Sequence, residues 1–373
     1  MDKKTAAAKE IMDQFTRITG LEGDPPSKRY LWTDAFALCN YLSLYQVSGG
    51  EIYKNLAHKL INHVHKTLGY HREDDPRQGP ISGLSDDEFN EHPTAGGLRI
   101  GKGLPERQTN EPFDRMLEWE RDGQYFHYLT KWMHALNSTA KEMNDDKYLK
   151  WARELAEKAH SAFTYRAGEG MAMYWKMSID LSRPLVPSMG QHDPIDGLIT
   201  YLEIAASMDK RAIDSSALSS EIKEMSTACE KSSWSTHDML GMGGLLTDIY
   251  RLIMINNRNY DSLLRQLIDD AIYSFEIYQP EKQLSSPAGQ RLAFRELGLS
   301  LGMNAIDKAA DKGVDLVFRA GINKILENKL TAREIENFWL VDGNRNSPGW
   351  LQHKEINMAM LAASLLPEGF LIV

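Results

Sequence analysis

The feature that most constrains this chain is a repeated alternation between strongly apolar helical segments and amphipathic ones. The clearest apolar segment covers residues 193–208, where Asp193 and Pro194 form a helix-start signal. A carboxylate at this position caps free backbone N–H groups, and proline fits the first helical position because no N–H is needed there. The apolar residues that follow spread around the helix, which is typical of a helix inside a protein.

The same arrangement of a polar start and an apolar helix recurs along the chain. Six apolar helices are predicted to begin near residues 31, 122, 193, 238, 292 and 353. Amphipathic segments alternate with them, and the first helix, residues 3–19, is predicted to pair with the last. No heptad repeat and no strand-like alternation competes with this pattern. Six helical hairpins with apolar helices inside and amphipathic helices outside describe an all-α (α/α)6 toroid.

An open solenoid of stacked helix pairs is the alternative architecture. The connections vary in length and no fixed repeat period is present, which favours the closed ring. We therefore predict a single toroid domain over residues 1–373. Three glycines of one apolar segment fit an inner ring in which helices approach closely; they are Gly241, Gly243 and Gly244.

The connections between the predicted helices are unequal, and several long ones lead into the apolar helices. Residues 69–117 are rich in glycine, proline and charge. A connection of this length is usually functional or disordered, and its scattered apolar residues favour an ordered lid or rim. The sequence Asp24-Pro25-Pro26 is predicted to end the first helix, because proline cannot continue it. Long loops would therefore gather at the N-terminal ends of the apolar helices.

The composition argues against several classes of protein. The net charge is −9 and the pI is near 5.7, whereas nucleic-acid binders usually carry a basic face. No segment approaches the roughly 18 apolar residues of a membrane span, and the N-terminus lacks the apolar core of a signal peptide. Cys39 and Cys229 lie far apart in helical patterns and are predicted to be reduced. We expect a cytoplasmic protein without a nucleic-acid or membrane partner.

The starts of the six apolar helices carry a family resemblance. They read WTDAF, RDGQYFHY, HDPIDGL, HDMLGMG, AFRELGLSLG and QHKEINMAM. This pattern resembles the six-hairpin superfamily of carbohydrate-active proteins, which includes glycoside hydrolases, polysaccharide lyases and the N-acylglucosamine and cellobiose 2-epimerases. The resemblance implies a cavity at the N-terminal ends of the inner helices, lined by acids, histidines and aromatic residues. It also implies a small saccharide as the ligand.

Glycoside hydrolysis needs one protonated and one ionised carboxyl group, and histidine can move protons near neutral pH. The predicted catalytic residues are therefore polar residues at these helix starts: Asp34, Asp122, Asp193, Asp196 and His192. The predicted substrate-binding residues are Trp32, Arg99, Tyr125, His127, His237, Trp350 and His353. Trp119 and Trp175 are weaker candidates for ring stacking. Arg99 lies in the glycine-rich stretch 92–107 and is suited to binding the carboxylate or phosphate of an acidic saccharide.

Three functions remain open at this point. A glycoside hydrolase is the leading hypothesis, a sugar epimerase or isomerase with a histidine acid/base pair is the second, and a non-catalytic carbohydrate-binding or scaffold protein is the third. Helix capping alone also explains an acid at each helix start. The sequence contains no motif for a metal or an organic cofactor, so neither is expected.

Overall fold

The computed structural model describes residues 2–23, 28–168, 170–230 and 232–373. The helix break predicted at Asp24-Pro25-Pro26 lies outside the described residues. The chain divides into two compact units. Unit I consists of Met1–Thr16, Ser43–Gly49 and Lys231–Val373, and unit II consists of Arg17–Leu42 and Gly50–Glu230.

Helices dominate unit II, and one of them, α2 (Leu31–Ser48), begins in unit II and ends in unit I. The other helices of unit II are α3 (Glu51–Leu68), α4 (Asp86–Glu91), α5 (Arg115–Glu120), α6 (Phe126–Met143), α7 (Asp146–Phe163), α8 (Asp193–Lys210) and α9 (Ser219–Cys229). The apolar helix α6 packs against the amphipathic helix α7 and against the apolar helix α8, which in turn packs against α9. The alternation in the sequence thus corresponds to helical hairpins.

Unit I is built in the same way, and its first helix is α1 (Lys3–Ile18). The others are α10 (Met239–Ile255), α11 (Asp261–Tyr278), α12 (Glu281–Leu284), α13 (Ala293–Lys312), α14 (Leu316–Leu326), α15 (Leu330–Leu340), α16 (Asp342–Arg345), α17 (Pro348–Gln352) and α18 (Lys354–Leu365). The apolar helices α10, α13 and α18 pack in succession, because α13 contacts both of the others.

Five of the six apolar helices begin within one residue of the predicted start. The exception is the helix predicted to begin at residue 122, which begins at Phe126 instead. The preceding residues Gln124–Tyr125 form a short strand, β1, which pairs antiparallel with β4 (Lys176–Met177). Asp122 therefore lies in an extended segment before the helix and does not begin it.

Two of the connections contain short strands that the sequence pattern does not indicate. The connection between α7 and α8 contains four of them. There β2 (Thr164–Ala167) pairs with β3 (Gly170–Met173), and β4 pairs with β5 (Pro184–Val186). Each strand has only two to four residues. Elements this short are at or below the lower limit of about four residues at which alternating hydrophobicity identifies a strand.

The long connection 69–117 is described throughout and includes the short helix α4. Ser85 and Glu88 form a reciprocal capping box at the start of that helix. Further along, Leu98 and Ile100 are fully buried. The backbone at Ile100 accepts a hydrogen bond from the first residue of α2 and donates one to Gly123. This part of the connection therefore runs through unit II and contributes to its core.

None of the described helices combines the length and the apolar character that crossing a membrane requires.

Close packing between α10 and α13 accounts for one of the predicted glycines. A Cβ built on Gly243 lies 2.1 Å from the backbone oxygen of Gly298, and a Cβ on Gly302 lies 2.6 Å from the oxygen of Gly243. A methyl group at residue 243 would therefore push the two helices apart. Gly244, the next residue, has no neighbouring atom within 4 Å of a built Cβ.

We predict that Gly243→Ala lowers the free energy of unfolding by about 1–3 kcal/mol, because it overpacks a rigid helix contact. Gly244→Ala is the matched control and should stabilise the protein by up to about 1 kcal/mol, because alanine favours the helix and meets no neighbour. Urea denaturation of both variants measures the two effects. Equal effects of the two substitutions would contradict this account of the packing.

Candidate active site

Helix α8 presents two acidic residues in its first turn, Asp193 and Asp196. They are three residues apart and therefore neighbours on one face of the helix. Both are buried, with 4% and 5% of their surface exposed. Pro194 occupies the start of the helix as predicted, but the N-cap residue is His192, whose side chain makes no capping hydrogen bond.

Asp193 has an unusual environment for a buried carboxyl group. Its Oδ2 atom is buried and has no hydrogen-bond partner among the described residues. Gly190 packs directly on the carboxyl group, because a Cβ built there would lie 2.6–2.8 Å from its atoms. Burial, and secondarily the negative charge of Asp196, raises the pKa of Asp193 to about 7. The carboxyl group thus holds its proton over much of the range in which an ordinary aspartate is ionised.

Asp196 has the opposite environment. Lys131 Nζ donates to its Oδ1 at 2.7 Å, and Thr130 Oγ donates to its Oδ2 at 2.5 Å. Both donors belong to helix α6, which packs against α8. A cation and a hydroxyl group favour the ionised form of a carboxyl group. The two acids of one helix turn therefore differ in their partners, since Asp196 is bound by a lysine and a threonine and Asp193 Oδ2 has no donor among the described residues.

His127, at the start of α6, lies beside Asp193. Its Nδ1 atom is 3.7 Å from Asp193 Oδ1 and has no hydrogen-bond partner among the described residues. The ring remains about 30% exposed. Removal from water lowers the pKa of His127 below its ordinary value, with the charge of Lys131 acting in the same direction and that of Asp196 opposing it. The imidazole is therefore neutral at neutral pH. We call His127, Thr130, Lys131, Asp193 and Asp196 the Asp193 site.

A group of aromatic rings extends from His127. Tyr125 stacks on His127 with centroids 5.3 Å apart and an angle of 26° between the planes. The ring plane of Trp175 makes angles of 35° with that of Tyr125 and 28° with that of His127. Tyr128 meets the edge of His127, and its hydroxyl group shares a 2.7 Å hydrogen bond with that of Tyr30. Aromatic faces that line up beside a titratable pair are typical of a small-molecule site.

Two tryptophans stand at the outer end of this aromatic group. Trp119 and Trp175 meet nearly at right angles, with centroids 4.8 Å apart and 82° between the planes. Trp119 is 38% exposed and Trp175 is half-buried, whereas Tyr125 is only 4% exposed. The open aromatic surface therefore belongs to the tryptophans and His127, with Tyr125 behind them.

Asp122 and Arg99, both predicted site residues, bind each other in the interior of unit II. Arg99 Nη1 donates to Asp122 Oδ2 at 2.6 Å, and its other donors reach the backbone oxygens of Tyr70 and Thr67. Asp122 is fully buried and also accepts from Arg72 and from backbone N–H groups that include Gly101. Neither side chain has a free group to offer a substrate, so we leave both out of the proposed active site.

Asp34 and Trp32, at the start of α2, are also largely enclosed. Asp34 accepts a hydrogen bond from the backbone N–H of Tyr30 and lies 3.5 Å from Arg29. Burial raises the pKa of Asp34 to about 6 in spite of that arginine. Trp32 is 6% exposed and packs on Phe36 with ring centroids 4.4 Å apart. The printed contacts of both side chains are therefore with residues at or near the start of α2.

The three remaining predicted residues belong to unit I. His237 is exposed and precedes Asp238, which caps α10 by accepting from the N–H of Leu240. His353 is half-buried and meets the edge of the Phe294 ring at 5.7 Å. Trp350 is 2% exposed and stacks on Trp339, so it is part of the core. Asp238 thus caps its helix as the capping hypothesis expects.

Sequence reasoning missed Lys131 and Thr130, the two residues whose side chains bind the carboxyl group of Asp196. A signal for Lys131 was present in the sequence. It is a single cation within the apolar stretch Phe126–Leu136, and a charged residue inside a buried helix requires a partner of opposite charge. Its distance of four residues from His127 places both side chains on one helix face.

Known proteins match this chain in structure only. No family model matches it, and no curated protein matches it in sequence. The GH76 α-mannanase of Bacteroides thetaiotaomicron superposes with a TM-score of 0.57 at 9% identity, covering 99% of this chain and 97% of that one. The GH76A α-1,6-mannanase of Salegentibacter sp. HEL1_6 gives a TM-score of 0.56 at 12% identity, with 98% and 99% covered. For that mannanase, a variant with two consecutive aspartates replaced by alanine is inactive.

A third similar structure is the cellobiose 2-epimerase of Spirochaeta thermophila DSM 6192. It superposes with a TM-score of 0.54 at 12% identity, covering 97% of each chain. Similarity over nearly the whole chain shows the fold, which is an all-α (α/α)6 toroid. The predicted fold class is thus confirmed, and the predicted resemblance holds at the level of this fold.

We predict that Asp122→Asn lowers the free energy of unfolding by about 3–5 kcal/mol, because it leaves the buried guanidinium of Arg99 without its counter-charge. Asp74→Asn removes a carboxylate that also pairs with an arginine, Arg72, but is 53% exposed. This control should lose no more than about 1 kcal/mol. Urea denaturation at pH 7 compares them, and equal losses would show that Asp122 is not the buried anchor described above.

The raised pKa of Asp193 makes the free energy of unfolding depend on pH. The folded-state pKa of Asp193, about 7, lies above its unfolded value, so the protein loses stability as the pH rises from about 4 to 7. Asp193→Asn cannot titrate. We expect the unfolding free energy of Asp193→Asn, measured relative to the wild type, to increase by roughly 2–3 kcal/mol from pH 5 to pH 8.

Asp145→Asn, at the N-cap of α7, is the control for this experiment. The pKa of Asp145 is lowered in the folded protein, chiefly by its contacts with Lys147 against the opposing effect of burial. Its titration therefore lies below about pH 4, and its effect on stability should be constant between pH 5 and 8. A constant difference for Asp193→Asn as well would mean that Asp193 is ionised throughout this range.

Proposed function

We propose that this protein is a carbohydrate-active enzyme, and specifically a glycoside hydrolase that uses Asp193 as its general acid. The observation that carries this proposal is a pair of carboxyl groups in the first turn of α8. Asp193 has a pKa of about 7 and no partner for its Oδ2 atom among the described residues, whereas Asp196 is bound by a lysine and a threonine, which favours a protonated Asp193 and an ionised Asp196. Glycoside hydrolysis requires these two states, since one group protonates the leaving oxygen and the other acts as base or nucleophile. The neighbouring aromatic faces are suited to holding a sugar ring.

The roles within the site follow from the contacts of each residue. Asp193 has a free, buried Oδ2 atom and a pKa of about 7, so it can deliver a proton at neutral pH. Asp196 supplies the ionised carboxylate, and Lys131 and Thr130 hold it in position. Asp196 also keeps the proton on Asp193, because two like charges so close cannot both form easily.

The known chemistry of similar folds is compatible with this assignment. Two of the structures reported above are α-mannanases, and in one of them a consecutive pair of aspartates is needed for activity. Here the proposed pair, Asp193 and Asp196, is three residues apart in the sequence rather than consecutive. Arg99 is fully engaged with Asp122 and backbone oxygens, which favours a neutral saccharide over an acidic one.

A sugar epimerase or isomerase is the second candidate, and His127 favours it. The neutral imidazole lies 3.7 Å from Asp193, so the two can act as base and acid on neighbouring atoms of a bound sugar. The fold is compatible with this chemistry, because a cellobiose 2-epimerase shares it. The third hypothesis, a non-catalytic binding protein, gains no support from Asp193, whose carboxyl group is not used as a cap.

We predict that Asp193→Asn lowers kcat of glycoside hydrolysis by about 10²–10⁴-fold, the usual contribution of a general acid. In the wild type the rate should fall as the pH rises above about 7, where Asp193 loses its proton. A panel of chromogenic glycosides, including mannosides, glucosides and glucuronides, measures the rate. Asp145→Asn, which changes the same residue type at an outer helix, should keep the wild-type rate.

The same proteins distinguish the two candidate reactions. Free sugars incubated in D2O would gain deuterium at the carbon beside the carbonyl if the enzyme is an epimerase or isomerase, and no glycoside would be cleaved. Glycoside cleavage without deuterium uptake identifies the hydrolase. If Asp193→Asn retains the full rate of whichever reaction is observed, the assignment of Asp193 is wrong.

A further inference from the structure

Two segments of unit II are joined by a buried ion pair, and each carries a tryptophan next to its charged residue. Glu118 precedes Trp119 on α5, and Trp175 precedes Lys176 on β4. Lys176 is fully buried, and its Nζ donates to Glu118 Oε1 at 2.9 Å. The two tryptophans that flank this ion pair meet in the right-angled arrangement described above.

The ion pair is fully satisfied within the protein. Besides the carboxylate, Lys176 Nζ donates to the backbone oxygens of Glu118 and Arg121 at 2.7 and 2.8 Å. Arg107 Nε donates to the second carboxylate oxygen of Glu118 at 3.0 Å. With every donor and oxygen engaged, neither charge is available for chemistry. Buried ion pairs contribute little net stability compared with apolar packing, so the contribution of this one is to fix the two segments in a single geometry.

With the two segments fixed in this way, the rings of Trp119 and Trp175 leave a large aromatic surface exposed to solvent. Trp119 remains 38% exposed although it belongs to an ordered helix, and Trp175 remains half-buried. Trp175 also faces His127 with centroids 6.5 Å apart and 28° between the planes. The exposed corner of two indole rings is therefore continuous with the Asp193 site.

We infer that Trp119 and Trp175 form a second saccharide subsite, so that the substrate has at least two sugar rings. This inference rests on the proposed function, because it places one ring beside Asp193 and the next against the tryptophans. Aromatic faces carry negative charge density, and the C–H groups on one face of a pyranose ring are attracted to it. The two indole rings are nearly perpendicular, so they offer stacking surfaces in two directions. A sugar ring stacked on one of them would keep its hydroxyl groups towards water. Glu118 and Lys176 are positioning residues in this arrangement.

Calorimetric titration with matched mono- and disaccharides tests the subsite. The probes are mannose, glucose, α-1,6-mannobiose and cellobiose. In the wild type, at least one disaccharide should bind more tightly than its monosaccharide. Trp119→Ala should weaken that disaccharide about three- to tenfold, as expected for the loss of one ring contact, and should change monosaccharide affinity less than twofold.

Two further variants make the result specific. Trp119→Phe keeps an aromatic face and should retain most of the disaccharide affinity. Tyr273→Ala removes an exposed ring (52%) from the outer helix α11 and should change neither affinity. The inference is overturned if Trp119→Ala weakens both sugars equally, or if no disaccharide binds the wild type more tightly than its monosaccharide. If either of these outcomes is found and Asp193→Asn still abolishes catalysis, the second subsite is refuted but the proposed function is not.

Discussion

The buried ion pair between Asp122 and Arg99 is the interaction on which the candidate active site depends. It joins the long connection 69–117 to the residues that lead into α6, because Asp122 also accepts from the backbone of that connection at Gly101. Gln124, two residues later, continues the link by accepting from Leu98 N–H and donating to two backbone oxygens. Tyr125 and His127 follow directly. A rearrangement of the pair would therefore move the rings that stand beside Asp193.

The helical part of the fold was predictable because its cause is local. Each helical segment has apolar residues at helical spacing within its own sequence, so the helix Glu51–Leu68 could be predicted from that spacing alone. The same reasoning failed at residues 122–125, where pairing with β4 replaces the expected first turn of a helix. That pairing depends on residues about fifty positions away, and two-residue strands leave no periodic trace.

The candidate site was predictable in its residue types but not in the roles of those residues. Asp122 and Asp193 look alike in the sequence, since each is an acid shortly before an apolar run. Their difference lies in what surrounds them: Asp122 receives a guanidinium and several N–H groups, whereas Asp193 Oδ2 receives none among the described residues. Those partners come from distant segments, so tertiary contacts alone decide which carboxyl group remains available.

Asp193 departs from the rule that buried polar atoms are hydrogen-bonded, and the departure is selective. Helix α6 supplies two donors to this turn of α8, and both go to Asp196. Their allocation to one acid favours the ionised form of Asp196, while burial raises the pKa of Asp193 to about 7. Such a difference between two neighbouring carboxyl groups is the condition for acid–base chemistry by the pair. This asymmetry originates in the positions of Thr130 and Lys131 on α6, which bring both donors to Asp196 and neither to Asp193 Oδ2.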